Sequence, residues 1–261
     1  MDIFGFCNIA LIPVRSAANH RSEMVTQLLF GEAYQIVDVQ HAAGWMEINT
    51  HFDNYSGYID AHQIALMHPS SWEKYYIKQQ YKTLSSSMYV LDKKRGFSFP
   101  IPAASSLPLY DEKTIRLGAE IFELPDYPKE SDNCLQERIK ITALSYLNAP
   151  YLWGGRSVFG IDCSGLNQTV FKIAGISLPR DASQQALKGE TVKSITEIQS
   201  GDLAFFENKE GLITHTGIIL DTETIIHASG KVRIDKITQK GIYSTERNEY
   251  THQLKIIKRI I

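Results

Sequence analysis

Three residues could carry chemistry here: Cys163, His215 and His227. Cys163 stands in Asp162-Cys163-Ser164-Gly165. Asp162 is a good helix N-cap, so the thiol falls in a first helical turn. There the unbonded backbone N–H groups and the positive end of the helix dipole favour a thiolate. A cysteine between a turn and a helix is a placement that nucleophilic catalysis uses; a buried structural cysteine is the commoner fate of a lone Cys, and this tetrapeptide leaves both open.

A thiol nucleophile needs a base, and the base needs a group to orient it. His215 heads the apolar stretch Thr214-His215-Thr216-Gly217-Ile218-Ile219, and His227 lies within Ile225-Ile226-His227-Ala228-Ser229. Their separation suits a tight antiparallel pair with both imidazoles on neighbouring strands. Each interrupts an apolar run, where a polar ring is costly unless hydrogen-bonded. Either alone reads as a satisfied core histidine, but both together with Cys163 point to catalysis. Zinc is the rival use of Cys and His; a structural site wants four closely spaced ligands, and no fourth Cys or His lies near. No metal or cofactor is expected.

These residues need elements to hold them. Leu135, Ile139, Thr142, Ala143, Tyr146 and Leu147 recur at helical spacing, with Asn133 and Gln136 as a loose capping pair. A loop over Pro150–Ile161 leads to a second helix, Cys163–Ala174, ended by Gly175. Strand-like pieces follow over Asp202–Phe206, Thr214–Leu220, Thr224–Ala228 and Gln253–Ile261, so helices followed by antiparallel strands predict an α+β layer. Residues 1–65 read instead as short strands, among them Ala33–Val39 and Gly44–Asn49, suggesting a small β-barrel; the apolar run Phe4–Val14 reads as one strand. Residues 66–85 read as a helical or irregular connector. Strand pattern returns from Tyr89 to Leu124 as a second, abbreviated barrel or an elaboration of the first, and Pro125–Glu130 reads as a linker. The domains expected are therefore 1–65, 66–125 and 130–261.

The 261 residues carry 27 Lys+Arg against 29 Asp+Glu, a formal charge of −2, which gives no electrostatic reason to expect nucleic acid or an anionic membrane as partner. With 43% hydrophobic and 21% charged residues the chain is globular rather than disordered. No apolar run is long enough to span a bilayer. Three cysteines (Cys7, Cys134 and Cys163) without a CxxC pair fit a reducing compartment and no disulfide framework. Asp2 and the lack of any Lys or Arg before the first apolar run argue against a secretory signal. With Met1 as native start a cytoplasmic location is expected; a chain trimmed of a leader would be periplasmic or exported.

Six blocks in order resemble the NlpC-type cell-wall cysteine peptidases, over roughly residues 133–261. They are Tyr151-Leu152-Trp153-Gly154-Gly155, Asp162-Cys163-Ser164-Gly165-Leu166, Leu178-Pro179-Arg180-Asp181-Ala182-Ser183-Gln184-Gln185, Gly201-Asp202-Leu203, His215-Thr216-Gly217-Ile218 and Ile226-His227-Ala228-Ser229. The segments Ile12–Arg15, Thr26–Glu32 and Tyr55–Tyr58 resemble a bacterial SH3-like barrel, with Tyr58 where Trp is more usual. The combination is similar to the γ-D-glutamyl-L-diamino acid endopeptidases. That resemblance implies a papain-like domain behind one or two SH3-like barrels, and a Cys163–His215–His227 triad. The implied substrate is a murein stem peptide with free N-terminal L-Ala, cut between γ-D-Glu and diaminopimelate or L-Lys by a monomer.

The resemblance also implies roles for individual residues. The Cys163 N–H and the Tyr151 hydroxyl would form an oxyanion hole, with Trp153 beside Tyr151. Asp162, Ser164 and Asp181 would line the end of the cleft that takes the substrate ammonium. Ala182 departs from relatives that carry a hydroxyl there, with Ser183 the possible substitute. Arg180 reads as a structural partner of a carboxylate. Glu32 and Tyr55 match barrel positions that face the cleft in relatives, where the barrel makes the enzyme a dipeptide-releasing exopeptidase; their plain alternatives are a solvated turn residue and a barrel-packing aromatic. Two other classes stay open: a peptide-binding module with a weak or inactive catalytic domain, and a thiol acyltransferase or amidase.

Overall fold

The computed structural model describes residues 3–38, 44–68, 72, 81–84, 87–111, 113–124, 127 and 133–261. The chain divides into two compact units, Met1–Glu130 and Ser131–Ile261. The connector expected over 66–85 and the linker over 125–130 fall mostly outside the described residues.

In the first unit, β1 (Ile3–Phe6), β2 (Leu11–Arg15), β3 (Met24–Leu29), β4 (Ala33–Asp38), β5 (Trp45–Thr50), β6 (Ser56–Asp60) and β7 (Leu66–Met67) form one antiparallel sheet in the order β3-β2-β6-β5-β4-β1-β7. Period-two alternation buries Ile12, Val14, Leu28, Tyr34, Ile36, Ile48 and Ile59 in one core with Cys7. The run Phe4–Val14 is two strands, not the single one expected. The break comes at Cys7, whose N–H donates to Glu32 O (2.9 Å) and whose carbonyl accepts from Gly31 N–H (2.7 Å).

Four further strands, β9 (Ser87–Asp92), β10 (Phe97–Pro102), β12 (Thr114–Leu117) and β13 (Glu120–Glu123), form a second sheet in the order β10-β9-β13-β12, and β8 (Tyr81–Lys82) pairs with β11 (Ser106–Leu107). Val90, Ile101, Ile115, Leu117 and Phe122 pack in one core with Phe6 and Met67 of the first sheet and with Phe30, which follows β3.

In the second unit, α1 (Leu135–Leu144) starts after Cys134, whose side chain makes no cap bond, so the Asn133–Gln136 pair is not the cap. A hairpin of β14 (Arg156–Ser157) and β15 (Gly160–Ile161) precedes α2 (Cys163–Ile173), and α3 (Ala182–Gln185) is a single turn. The strands are β16 (Glu190–Thr191), β17 (Leu203–Glu207), β18 (Ile213–Ile219), β19 (Thr224–Ser229), β20 (Lys231–Thr238), β21 (Gly241–Ser244) and β22 (Glu249–Arg259). Their order is β16-β22-β17-β18-β19-β20-β21, and β21 also pairs with β22, so six strands close on themselves. Ala204, Phe206, Ile219, Ile225, Ile237, Ile242 and Ile257 fill one core of this sheet, while α2 packs against β18 and β19. This is the α+β layering expected, with β16, β20 and β21 added to the strands legible in the sequence.

Candidate active site

Cys163 is the first residue of α2, capped by Asp162. One Asp162 oxygen accepts from Gly165 N–H (2.7 Å), the other from Gly154 N–H (2.8 Å). Arg180 closes a two-pronged ion pair on the same carboxylate, one prong at 3.0 Å, and donates to Ser164 Oγ at 2.8 Å. Ser164 Oγ in turn donates to Asp162 (3.3 Å). Asp162, Ser164 and Arg180 are all buried. Gly165 has to be glycine: a Cβ there would lie 2.3 Å from the Gly155 carbonyl, so the helix could not sit against the 154–155 loop. Asp162 therefore fastens loop, helix end and Arg180 around the nucleophile.

The thiol itself is 7% exposed. Burial first, and the neighbouring Asp162 carboxylate second, push its pKa up to about 12, against the lowering pull of Thr216 N–H, Arg180 and Ser164 N–H. This corrects the thiolate expected from the helix N-terminus. A helix end is worth at most about 2 kcal/mol, less than the cost of ionising a buried sulfur beside a carboxylate. Burial and the Asp162 carboxylate thus favour the protonated form of Cys163. Thr216 N–H reaching the sulfur sets Cys163 beside the strand position that follows His215.

His215 and His227 lie on the face of β18 and β19 that carries Ile219 and Ile225. They are diagonal neighbours, since His227 pairs directly with Gly217. His215 Nε2 and His227 Nδ1 are 2.9 Å apart, and His227 Nε2 lies 3.1 Å from Asp235 Oδ2 on β20. Arg233 Nε lies 2.8 Å from the same Asp235 oxygen. Burial alone would raise the Asp235 pKa, but the bonds from His227 and Arg233 hold it below the usual carboxylate value. An ionised carboxylate only accepts, which assigns the proton to His227 Nε2 and leaves His227 Nδ1 as acceptor. His215 Nε2–H then donates to it, and His215 Nδ1 keeps its lone pair. Burial, then His252 and His227, lower the His215 pKa well below 6.5, so this ring is a neutral base at neutral pH.

A third imidazole completes the group. His252 on β22 stacks on His215 with centroids 4.0 Å apart and planes inclined 21°. One nitrogen from each of His215, His227 and His252 lies within 4.8 Å of the others, the one such grouping among the described residues. Its geometry is not that of a ligand set: His215 Nε2 and His227 Nδ1 face each other in a hydrogen bond, and stacked rings do not converge their lone pairs on one point.

Tyr151 lies in the loop before Cys163, joined by its N–H to Gly230 O (3.0 Å). Burial, then Cys163 and Asp162, push its pKa up to about 12, so the hydroxyl keeps its proton and stays a donor near the sulfur. Trp153 is 58% exposed. Asp181 caps α3, on which Ala182 is buried and Ser183 exposed. Glu32 and Tyr55 belong to the first unit: Glu32 is buried and accepts from Leu29 N–H (2.8 Å), and Tyr55 closes a turn with Thr50.

Sequence reasoning missed Asp235, Arg233 and His252, and a polar link behind the site. Asn167 donates to Thr216 Oγ1 (2.9 Å) and to Gln185 (3.1 Å), and Gln185 donates to Ser164 O (3.0 Å). Nothing in the sequence sets Asn167 apart, because every residue of α2 is buried, apolar and polar alike.

Residues 148–250 match the NlpC/P60 family, and residues 14–64 match the bacterial dipeptidyl-peptidase SH3 domain. Among curated relatives, the γ-D-glutamyl-L-lysine dipeptidyl-peptidase of Bacillus subtilis is 43% identical over 35% of this chain and 31% of its own length. Dipeptidyl-peptidase 6 of Lysinibacillus sphaericus is 38% identical over 38% of this chain and 34% of its own. The chain thus spans about a third of the length of these relatives. The crystal structure of an NlpC/P60 family protein from Bacillus cereus shares the fold, with a TM-score of 0.79 at 19% identity over 98% of this chain and 99% of that one. An NlpC/P60 endopeptidase from Photobacterium damselae subsp. piscicida does so with a TM-score of 0.72 at 17% identity, over 97% of this chain and 70% of that one.

Proposed function

We propose that this chain, an NlpC/P60 cell-wall peptidase domain behind a bacterial dipeptidyl-peptidase SH3 domain, hydrolyses the bond between γ-D-Glu and the diamino acid of murein stem peptides. The diamino acid is diaminopimelate or L-Lys, and the product is L-Ala-γ-D-Glu. The observation that carries the reading is the relay of His215, His227 and Asp235 at hydrogen-bond distances, with Cys163 held beside it by the N–H of Thr216, the residue after His215. The substrate is supported by the names of two relatives that are 43% and 38% identical over about a third of this chain.

In this mechanism His215 Nδ1 takes the thiol proton as Cys163 sulfur attacks the γ-carbonyl carbon. The Cys163 N–H and the Tyr151 hydroxyl receive the developing oxyanion. His215 returns its proton to the leaving amine, and water, deprotonated by the same nitrogen, hydrolyses the thioester to free the thiol. His227 and Asp235 hold the tautomer throughout. Asp181, with Ser183, is assigned to the free N-terminal ammonium of the substrate, next to the Asp162–Ser164 corner and Trp153.

The test is incubation with L-Ala-γ-D-Glu-meso-diaminopimelate beside its N-acetylated form, read by mass spectrometry. L-Ala-γ-D-Glu released from the free-amine peptide alone is the expected result. Equal cleavage of both peptides would overturn the exopeptidase assignment, and cleavage of neither would overturn the substrate.

A further inference from the structure

We propose that His252 is a positioning residue for the base: its ring, stacked on His215, holds that imidazole in the plane where it bonds His227 and screens it from the open cavity beyond. The inference rests on the cysteine-nucleophile reading above but not on the identity of the substrate. His252 lies outside residues 148–250, the stretch matched to the family, so the family match assigns it nothing.

The geometry carries it. His252 pairs with Ile242, whose side chain is in the same core as Ile219 and Ile225, so His252 enters the closed sheet on the face that His215 and His227 share. Its ring lies nearly parallel to His215 at 4.0 Å, and edge-on to His227 at 5.6 Å. Thr251 Oγ1 sits 2.9 Å from His252 Nδ1 and fixes the orientation of the ring. Phe206 closes another side of His215, with centroids 5.8 Å apart. Beyond His252 opens a cavity of about 830 Å³, lined among others by Glu207, Thr214, Lys240, Tyr250 and Thr251. His252 stands between that cavity and the base. An alanine there would open a path for water to one face of His215, and would free the ring to rotate off the His227 bond.

The groups that act on His215 are His252 from β22 and His227 from β19, with Asp235 and Arg233 from β20 acting through His227; β17 contributes Phe206, which does not titrate. Burial, then His227, lower the His252 pKa to about 4. In the working range the stacked rings are therefore both neutral, and the larger effect of His252 on His215 is the burial it provides, ahead of the repulsion between the two rings when charged.

The experiment compares wild type, His252→Ala and His252→Phe in the full chain. One readout is the pH dependence of Cys163 alkylation by iodoacetamide, which needs no substrate. The other is kcat and KM on the free-amine peptide. Phe keeps a flat ring over His215 without a nitrogen. His252→Ala should move the acid limb of the alkylation profile up towards 6.5, and lower kcat on the order of tenfold with little change in KM. His252→Phe should keep the wild-type limb and most of kcat. An unchanged limb in His252→Ala, or a His252→Phe profile that departs from wild type, overturns the proposal. Should His252→Ala fail to fold, the comparison of His252→Phe with wild type still decides it. A peptide that no form cleaves, with the alkylation profiles as expected, removes the substrate reading and leaves this one standing.

Discussion

Gly217 lies directly opposite His227 across the β18–β19 ladder, and the space where its side chain would stand is what lets the His215 ring reach His227. A Cβ at Gly217 would come within 2.8 Å of His227 Cβ and of the Ile226 carbonyl. The two imidazoles are diagonal neighbours, a separation that aromatic side chains can bridge. Gly217→Ala should therefore push β19 away and break the 2.9 Å His215–His227 contact. Activity should fall at least roughly tenfold, with a stability loss of about 1–3 kcal/mol from overpacking. Kinetics and denaturant midpoints on one preparation check both, and an active, fully stable Gly217→Ala would contradict the account.

Loss of the three relay residues should be graded. His215→Gln leaves no group to take the thiol proton or protonate the leaving amine, and should cost about 10²–10⁴-fold in rate. His227→Gln keeps an amide oxygen that can accept from His215 Nε2–H, so part of the rate should remain. Asp235→Asn acts one bond further away, by loosening the His227 tautomer, and should be the mildest of the three. Initial rates on the free-amine peptide give the ranking; equal residual rates would remove the division of roles.

Cys163→Ala and Cys163→Ser should be inactive and still folded, because either change is sterically small at a helix start. Cys7→Ala should not alter turnover: that thiol is buried in the first unit, burial raises its pKa, and it hydrogen-bonds to Ile9 O. Cys134→Ala should not either, since Cys134 is exposed at the start of α1. Mass-spectrometric turnover of the four single variants separates them in one assay.

How much of this was legible in the sequence follows from where each signal sits. Asp162 before Cys163 announced its helix, and two histidines in consecutive apolar runs announced paired strands. The β20 strand was illegible because its alternation is inverted: Asp235 is buried while Ile234 is 39% exposed. An inward-facing Arg233–Asp235 pair reads as surface until the histidine it serves is seen beside it. His252 gave no signal because its neighbours Thr251 and Gln253 are polar, so nothing marked its ring as enclosed. Glu32 read as a solvated turn residue in its plain alternative, yet it is 3% exposed with a backbone bond to hold it there. The protonation of Cys163 depends on a balance between burial and helix end, which only the packed structure supplies.

Arg180 should be worth more to stability than any exposed ion pair in the chain. It is 2% exposed and meets Asp162 with both prongs of the guanidinium. Arg180→Ala would leave a buried carboxylate facing no cation, a loss of about 3–5 kcal/mol. Arg180→Lys should recover little, since a single ammonium cannot reproduce the two-pronged contact and the Ser164 bond together. Urea midpoints of the two variants test this, and a near-wild-type Arg180→Lys would show that charge alone, without the fork, holds the loop.

The buried imidazoles should also make the fold acid-sensitive in a defined window. His215 is held well below 6.5 by burial and then by its histidine neighbours, and His252 is lowered to about 4 by burial and then His227. An unfolded chain takes up protons on these rings near 6.5, whereas the folded chain resists until far lower pH. Between those values the unfolded state binds more protons, so stability present above 6.5 is lost as pH falls towards 4. The slope is at most about 1.4 kcal/mol per pH unit for each fully differential proton, and smaller for His252, which is partly open to solvent. Asp235, whose pKa lies below the usual carboxylate value, adds a further loss only at still lower pH. The melting temperature should thus be level between pH 7 and 8 and decline below about 6.5, with a shallower decline in His252→Phe. A wild-type melting temperature that holds level down to about pH 5 would mean that the His215 pocket admits a charged ring, and the neutral base assigned here would be wrong.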